Sequence, residues 1–464
     1  MSGRTGNAPR AVKLIVKPFQ FVNYLQWDCV REINEHGTLK IKGLIAEDNR
    51  MKYADMPTQE TWVCATAIED NGGEITLFQG VLTNLTVDTM HQHHTMSIEV
   101  KTSTHLLEQT HHTRTFQPDS TTYYDAINTC VQKAGSQFIM REKQGTSTEQ
   151  FTVQYKESDW SFIKRLAHRL GVVVLPEFKT RGKKLYVGLE QSASGQEITS
   201  DNYTMSSGVP NKDSLILYEQ GVYHIQTRGI YELGDSVSFQ GRNLFVTKVV
   251  SSLEGSELIH NYTLCALKSA YEQPKQHEQI KGISMRARVT EVSRDRVKVS
   301  IHEDENQGSS GERWFDYATV YSTPDGTGWF AMPEVGDEVR VLFPSADESG
   351  AYVASNVHLE TSGGRINPDH KSWKNKHNKE ILFTPDSLSL TNNSGLSIEL
   401  NDAKGITINS NRGIFIESDG QLHLNSKNDV ITVYGDRNVT IQQGAAQIRM
   451  EDGIDVAGGK INVN

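Results

Sequence analysis

Along most of this chain hydrophobic and polar residues alternate, and a period of two marks strands. Within the first 275 residues the alternation predicts strands at 13–16, 39–45, 61–68, 74–87 and 95–101. It resumes at 171–176, 184–189, 215–217, 236–239, 244–250 and 262–267. Asn71-Gly72-Gly73 reads as a turn. Two stretches switch to the helical period. Residues 122–134 place Tyr124, Ile127, Val131 and Ala134 on one face, with Gly135 as the stop. Residues 158–170 do the same with Trp160, Ile163, Ala167 and Leu170, between Ser158 as N-cap and Gly171 as C-terminal cap.

The polar run YEQPKQHEQ at 271–279 reads as a linker. Beyond it the strands shorten: 286–292, 296–301, 314–320, 328–331, 338–343 and 351–357, with loop chemistry at 306–311 and 323–326. That many short strands in a segment this small fit a partly closed Greek-key barrel of the OB type.

From Ile381 a repeat takes over. Apolar pairs with one residue between them recur: Leu388/Leu390, Ile398/Leu400, Ile406/Ile408, Ile414/Ile416, Leu422/Leu424, Ile431/Val433, Val439/Ile441, Ile448/Met450, Ile454/Val456 and Ile461/Val463. Glycines such as Gly395, Gly405, Gly413 and Gly444 fall between them. Each repeat is a short strand with one apolar face and a tight turn. Such a strand forms no core alone, so the repeats must stack or intertwine. Either three strands of one chain make each triangular coil, or three chains wrap one axis. Both arrangements put Ile398, Leu400, Ile406, Ile408, Ile414, Ile416, Leu422, Leu424, Val439 and Ile441 inside. The trimer is the favoured reading, since one chain supplies only three or four coils, and a closed prism removes free strand edges.

Composition agrees with thin, one-sided layers: 36% of the 464 residues are hydrophobic. The net charge of −10 argues against a nucleic-acid partner. No apolar run reaches the roughly 20 residues of a membrane span. The polar N-terminus lacks the apolar core of a secretory signal, so synthesis in the cytoplasm is expected. Cys29, Cys64, Cys130 and Cys265 are far apart, as expected of reduced thiols.

Catalytic chemistry is not apparent. The chain has no serine nucleophile elbow, no HExxH and no complete dinucleotide fingerprint. Its carboxylates are scattered over strand faces, whereas a muramidase needs two in one cleft. The basic, polar segment 361–379 is too short to hold a hydrolase. His91, His93 and His94 lie in MHQHH, with His105, His111 and His112 downstream. His91 and His93 share a strand face and could suit a metal, but a polar hub surface explains them better. No cofactor and no metal is expected.

Three segments together resemble the VgrG-type hub-and-spike proteins of contractile injection systems. The first is Gln154-Tyr155-Lys156-Glu157-Ser158-Asp159-Trp160-Ser161-Phe162 running into Arg165-Leu166, with Arg114-Thr115-Phe116-Gln117 and Tyr123-Tyr124-Asp125 upstream. The second is Pro333-Glu334-Val335-Gly336-Asp337-Glu338-Val339, preceded by Gly328-Trp329-Phe330, with Arg296-Val297-Lys298-Val299 as its earlier strand. The third is the repeat. The resemblance implies a mainly β protein in four parts: a ring-forming tail hub at 1–275, an OB barrel at 276–360, a linker at 361–380 and a trimeric β-helical needle at 381–464. The hub would supply two similar barrels per subunit to a pseudo-sixfold ring. The implied role is structural and non-enzymatic: a homotrimer at the baseplate, joining a hexameric inner tube to a membrane-piercing needle aimed at the target cell envelope. Baseplate proteins, and a PAAR-type tip protein or an effector, are the expected partners. The chain lacks the terminal HxH pair that binds iron in some needles of this kind. The alternatives are an effector-carrying adaptor, a cryptic peptidoglycan hydrolase and a monomeric β-solenoid adhesin. Phage tails, tailocins, extracellular injection particles and type VI systems all use this part, and the missing effector extension leans towards a phage-like particle.

If the repeat forms a shared prism, Ile414→Asp sets three carboxylates near one axis at a cost of several kcal/mol, roughly. Its trimer should dissociate in a solution mass measurement, and a stable trimer would refute the inward assignment.

Overall fold

The computed structural model describes residues 11–58, 60–69, 72–91, 93–190, 196–206, 217–218, 221–255, 257–268, 277–306, 311, 313–354, 367–457 and 460. The expected turn at Asn71, most of the first linker (271–276), the start of the second (361–366) and the last apolar pair, Ile461/Val463, lie outside these residues. The chain divides into two compact units, Met1–His358 and Leu359–Asn464.

The first unit is built on a twelve-stranded sheet. Its first half runs in the order Ala11–Lys17, Trp62–Glu69, Glu74–Met90, His93–Lys101, Thr38–Ile45 and Asn23–Glu32. Its second half continues with Arg242–Glu254, Glu257–Cys265, Val222–Thr227 and Tyr203–Ser206, while Ser236–Phe239 pairs with Arg242–Glu254 and Gln196–Glu197. The halves share one hydrogen-bonded sheet, joined where Val30 opposes Val250. Alternation does the sorting. In Thr38–Ile45, Leu39, Ile41 and Ile45 are buried while Lys40 and Lys42 face water. The joining strand Asn23–Glu32 escapes the sequence pattern because one of its inward positions is an arginine. Trp27, Cys29 and Arg31 are all buried, and Arg31 lies over the Phe178 ring and near Glu232. Glu74–Met90 runs past the expected end at Val87 because its hairpin with His93–Lys101 continues beyond the buried core.

Between the halves lies a helical insert. Thr122 and Asp125 cap each other at the start of Tyr123–Lys133. That helix buries Tyr123, Ala126, Ile127, Cys130 and Val131, so Tyr124, expected inside, is exposed against Phe138. Ser158 caps Asp159–Leu170, and Gly171 closes it in the left-handed region at φ +69°. Both helices bury their apolar faces in one cluster with Val174, Leu185 and Val187.

The barrel strands are ordered Trp314–Asp316, Arg296–Ile301, Ser284–Ser293, Glu338–Leu342 and Tyr352–Ala354. The strand expected at 328–331 is instead a loop. Gly328 sits at φ +149°, and a Cβ there would meet the Tyr321 carbonyl at 2.3 Å, so only glycine makes this approach. The barrel's core is completed from outside its own segment. Phe151 and Val153 of the insert are fully buried among Val297, Val299, Phe315, Val341 and Phe343. Phe151 meets Phe315 edge-on at 5.2 Å and stacks on Phe343 at 6.0 Å.

The second unit is two antiparallel meanders: Lys371–Lys374, Glu380–Phe383, Ser387–Thr391, Leu396–Asn401 and Gly405–Ser410, then Val439–Gln443, Ala446–Met450 and Ile454–Ala457. Successive strands pair as hairpins, with Gly405 at φ +80° in one tight turn. That pairing differs from both arrangements considered from the repeat, the single-chain coil and the prism with one strand of each chain per layer, because in either one neighbours in sequence would turn a corner instead. The strands expected at 414–416, 422–424 and 431–433 do not form, because no ladder partner reaches residues 411–438 in this chain.

Phe151→Ala should destabilise the first unit by about 3–5 kcal/mol, since it empties an aromatic site between two layers. Chemical denaturation should show that loss; a loss below 1 kcal/mol, roughly, would mean the barrel core closes without the insert.

Candidate functional site

The two hub motifs form one antiparallel ribbon. His111–Phe116 pairs with Thr152–Ser158, setting Arg114 opposite Gln154 and Thr115 opposite Val153. Period-two geometry then divides the residues between two layers. On the insert side, Phe116 stacks on Phe162 at 5.7 Å, and Arg114 donates to Asp159 Oδ1 at 2.5 Å and to Gln154 Oε1 at 3.0 Å. Gln154 Nε2 donates to the Glu157 carbonyl at 2.9 Å and to Asp159 at 3.0 Å. Arg114, Gln154 and Asp159 are all buried, so each needs the others. On the barrel side, the Thr115 amide and hydroxyl donate to Asp304, and Gln117 donates to the Val299 carbonyl at 3.4 Å. Glu305 accepts from the Thr113 amide at 3.0 Å and contacts His112 at 2.8 Å. Burial opposes charge on Glu305, but Thr113, His112 and Arg114 hold its carboxyl below the ordinary range.

A second buried contact crosses the same junction. Arg165, on the insert helix, grips Glu157 through Nε and Nη2 and donates to Glu348 Oε1 of the barrel segment at 2.8 Å. Arg169 donates to the other Glu348 oxygen. His277 Nδ1 stands 3.8 Å away, an electrostatic contact and not a hydrogen bond. Glu348 is fully buried. Burial alone would raise its carboxyl pKa, yet His277 and the two guanidiniums win and hold it at about 2. Tyr155 packs half-buried against the barrel core, and Trp160 is buried with its ring 4.4 Å from that of His36.

The second motif builds a turn. Pro333 is half-buried, whereas Glu334, Val335, Gly336 and Asp337 are exposed. Asp337 Oδ2 accepts from the Glu334 amide at 2.9 Å, and Gly336 adopts φ +98°. The Gly336 amide and the Asp337 carbonyl pair with Val289 at 2.8 Å each, tying the turn to the central barrel strand.

Residues 30–222 match the family profile of the phage tail baseplate hub, and residues 285–358 match that of the type VI secretion system/phage-baseplate injector OB domain. The chain therefore carries a baseplate-hub segment followed by an injector OB domain. No curated protein matches it significantly. Among solved structures, the Escherichia coli c3393 protein, a type VI secretion component similar to T4 phage tail proteins gp27 and gp5, is alike in fold. It has 14% identity, covers 74% of this chain and 99% of its own, and gives a TM-score of 0.51. The Francisella PdpA–VgrG complex aligns at 10% identity over 87% of each chain, with a TM-score of 0.54. The hub-and-spike resemblance and the mainly β architecture with an OB domain therefore stand.

The second unit presents its apolar residues in rows. Ile381, Leu390, Ile398 and Ile408 oppose one another across four strands, as do Phe383, Leu388, Leu400 and Ile406. Val439 opposes Met450, and Ile441 opposes Ile448. Opposed residues share a sheet face. In the chain alone Ile398, Leu400, Ile406, Ile408 and Ile441 are exposed and Val439 is half-buried. Ile414, Ile416, Leu422 and Leu424, in the unpaired stretch, are exposed as well.

The MHQHH histidines part company. His91 occupies a left-handed turn at φ +47°, while His94 is buried with Nδ1 2.9 Å from Thr89 Oγ1. Among the described residues the ligand-type groups that converge are His36, His105 and Glu108. Sequence spacing gave no sign of His36, which lies far upstream. Glu348 was missed for the same reason: it stands alone, nearly two hundred residues from its arginines.

Because the folded Glu348 carboxyl lies at about 2 and its ordinary value is 4.5, its stabilisation is complete above pH 4.5 and is lost as pH falls towards 2. The difference amounts to about 3 kcal/mol. Glu348→Gln should lower neutral-pH stability by a similar amount and flatten this acid limb in urea melts at pH 5 and pH 3. An unchanged acid limb would assign it to other carboxylates.

Proposed function

We propose that the protein is the central spike of a contractile injection particle, a non-enzymatic homotrimer joining a hexameric tube to a membrane-piercing needle. The observation that carries this reading is the pair of apolar rows on one face of the second unit. A face that the chain leaves in water is a poor end state for a one-sided sheet. Three such sheets closing on one axis would bury the rows and supply ladder partners to residues 411–438. Baseplate location follows from the hub and injector domains. The family is a structural one, and its work is mechanical: to transmit thrust without unfolding.

The Francisella VgrG is seen with PdpA. A carrier role for this spike, with an effector or a PAAR-type tip protein as cargo, is compatible with the same trimer.

The purified full-length protein should have three times the 51.9 kDa chain mass by light scattering. Ile408→Asp should reduce it to single chains while leaving the hub's thermal transition in place. A monomeric parent protein would sink the spike reading and favour a free-standing adhesin. In a cell-wall zymogram no clearing is expected, and clearing by the isolated protein would overturn the non-enzymatic assignment.

A further inference from the structure

Away from the junction, three ligand-type side chains converge where the sheet meets the insert. His36 lies between the strands Asn23–Glu32 and Thr38–Ile45. His105 and Glu108 lie in and just after the short helix Ser103–Leu107. Glu108 Oε2 stands 3.3 Å from His36 Nε2 and 3.8 Å from His105 Nδ1. One donor atom from each residue falls within 4.8 Å of the other two. With metal–ligand bonds of roughly 2.0–2.1 Å, a tetrahedral zinc site spaces its ligand atoms about 3.3 Å apart. The Glu108–His36 spacing already matches, and the His105 side needs a contraction of about half an ångström towards Glu108 and at most about 1.5 Å towards His36.

A plain ion pair explains the cluster poorly. Both nitrogens are buried, and neither makes a hydrogen bond, to the carboxylate or to anything else. Two buried ring nitrogens aimed at one carboxylate without bonding it are an expensive arrangement unless a third party accepts their lone pairs. His36 is also held from behind, as metal-binding imidazoles are. Its Nδ1 is 2.8 Å from Thr104 Oγ1, which is 3.1 Å from Thr102 Oγ1, and its ring lies on Trp160. Only 10% of the His36 side chain is exposed, against 41% for Glu108, so the carboxylate side is the way in.

We propose that His36, His105 and Glu108 form a divalent metal site of the zinc class that fastens the helical insert to the sheet. Two imidazoles and one carboxylate select zinc, nickel or cobalt over magnesium or calcium. Three protein ligands leave one position for water. Lys164 and Lys101 lie near enough to His36 to oppose a metal cation there, which makes Glu108 the ligand the site can least lose.

The test uses the full-length protein stripped with chelator, dialysed and titrated with zinc chloride by calorimetry, with metal content and thermal midpoint read in parallel. The expected result is one zinc per chain and a raised midpoint. Glu108→Gln, a change at the exposed edge, should weaken binding about 100-fold or more, and His105→Ala should do the same. The double variant His91→Ala/His93→Ala should bind as the parent does. The proposal fails if zinc binds more weakly than about 100 μM. It also fails if Glu108→Gln binds like the parent, or if binding disappears with the His91/His93 pair.

Discussion

A β-layer one strand thick buries every second residue on one side and must find cover for that side. That constraint governs this protein from end to end. The hub sheet covers its inner face by curling over Trp27, Leu39, Phe78 and Val249. The insert covers its strands with two capped helices. The injector barrel is too small to close on its own side chains and takes Phe151 and Val153 from the insert. The second unit has no cover in the single chain, and its rows of isoleucine and leucine face solvent.

The ribbon of His111–Phe116 and Thr152–Ser158 lets one strand pair serve two layers. Its alternate residues reach opposite ways, so Arg114 and Phe116 hold the insert while Thr115 and Gln117 hold the barrel. Apolar contact supplies the adhesion, and the buried charges supply register. Glu348 between Arg165 and Arg169 tolerates little displacement, because a sub-ångström shift breaks charge-assisted bonds in a dry site. A joint that is both apolar and fixed in register resists sliding better than either kind of contact alone.

Much of this was legible in the sequence. Helix limits followed from Thr122, Ser158 and Gly171, whose local chemistry decides them without help. Most hub strands followed from alternation. The failures have specific causes. Arg31 broke the pattern of a central strand because its charge is neutralised by a residue two hundred positions away. Tyr124 faces outward because the helix is rotated to bury Tyr123. Three repeat segments stay unpaired because strand formation needs a neighbour, and propensity cannot supply one.

The sequence by itself determined the order of the parts, the one-sidedness of the repeat and the motif residues Gln154, Glu157, Asp159 and Trp160, since these depend on local period and composition. The tertiary structure decided what those residues touch. It placed Glu348 on Arg165, seated Phe151 inside a barrel that begins more than a hundred residues later, and brought His36 to His105 and Glu108. These are meetings of distant residues on a folded surface, and no local pattern encodes them.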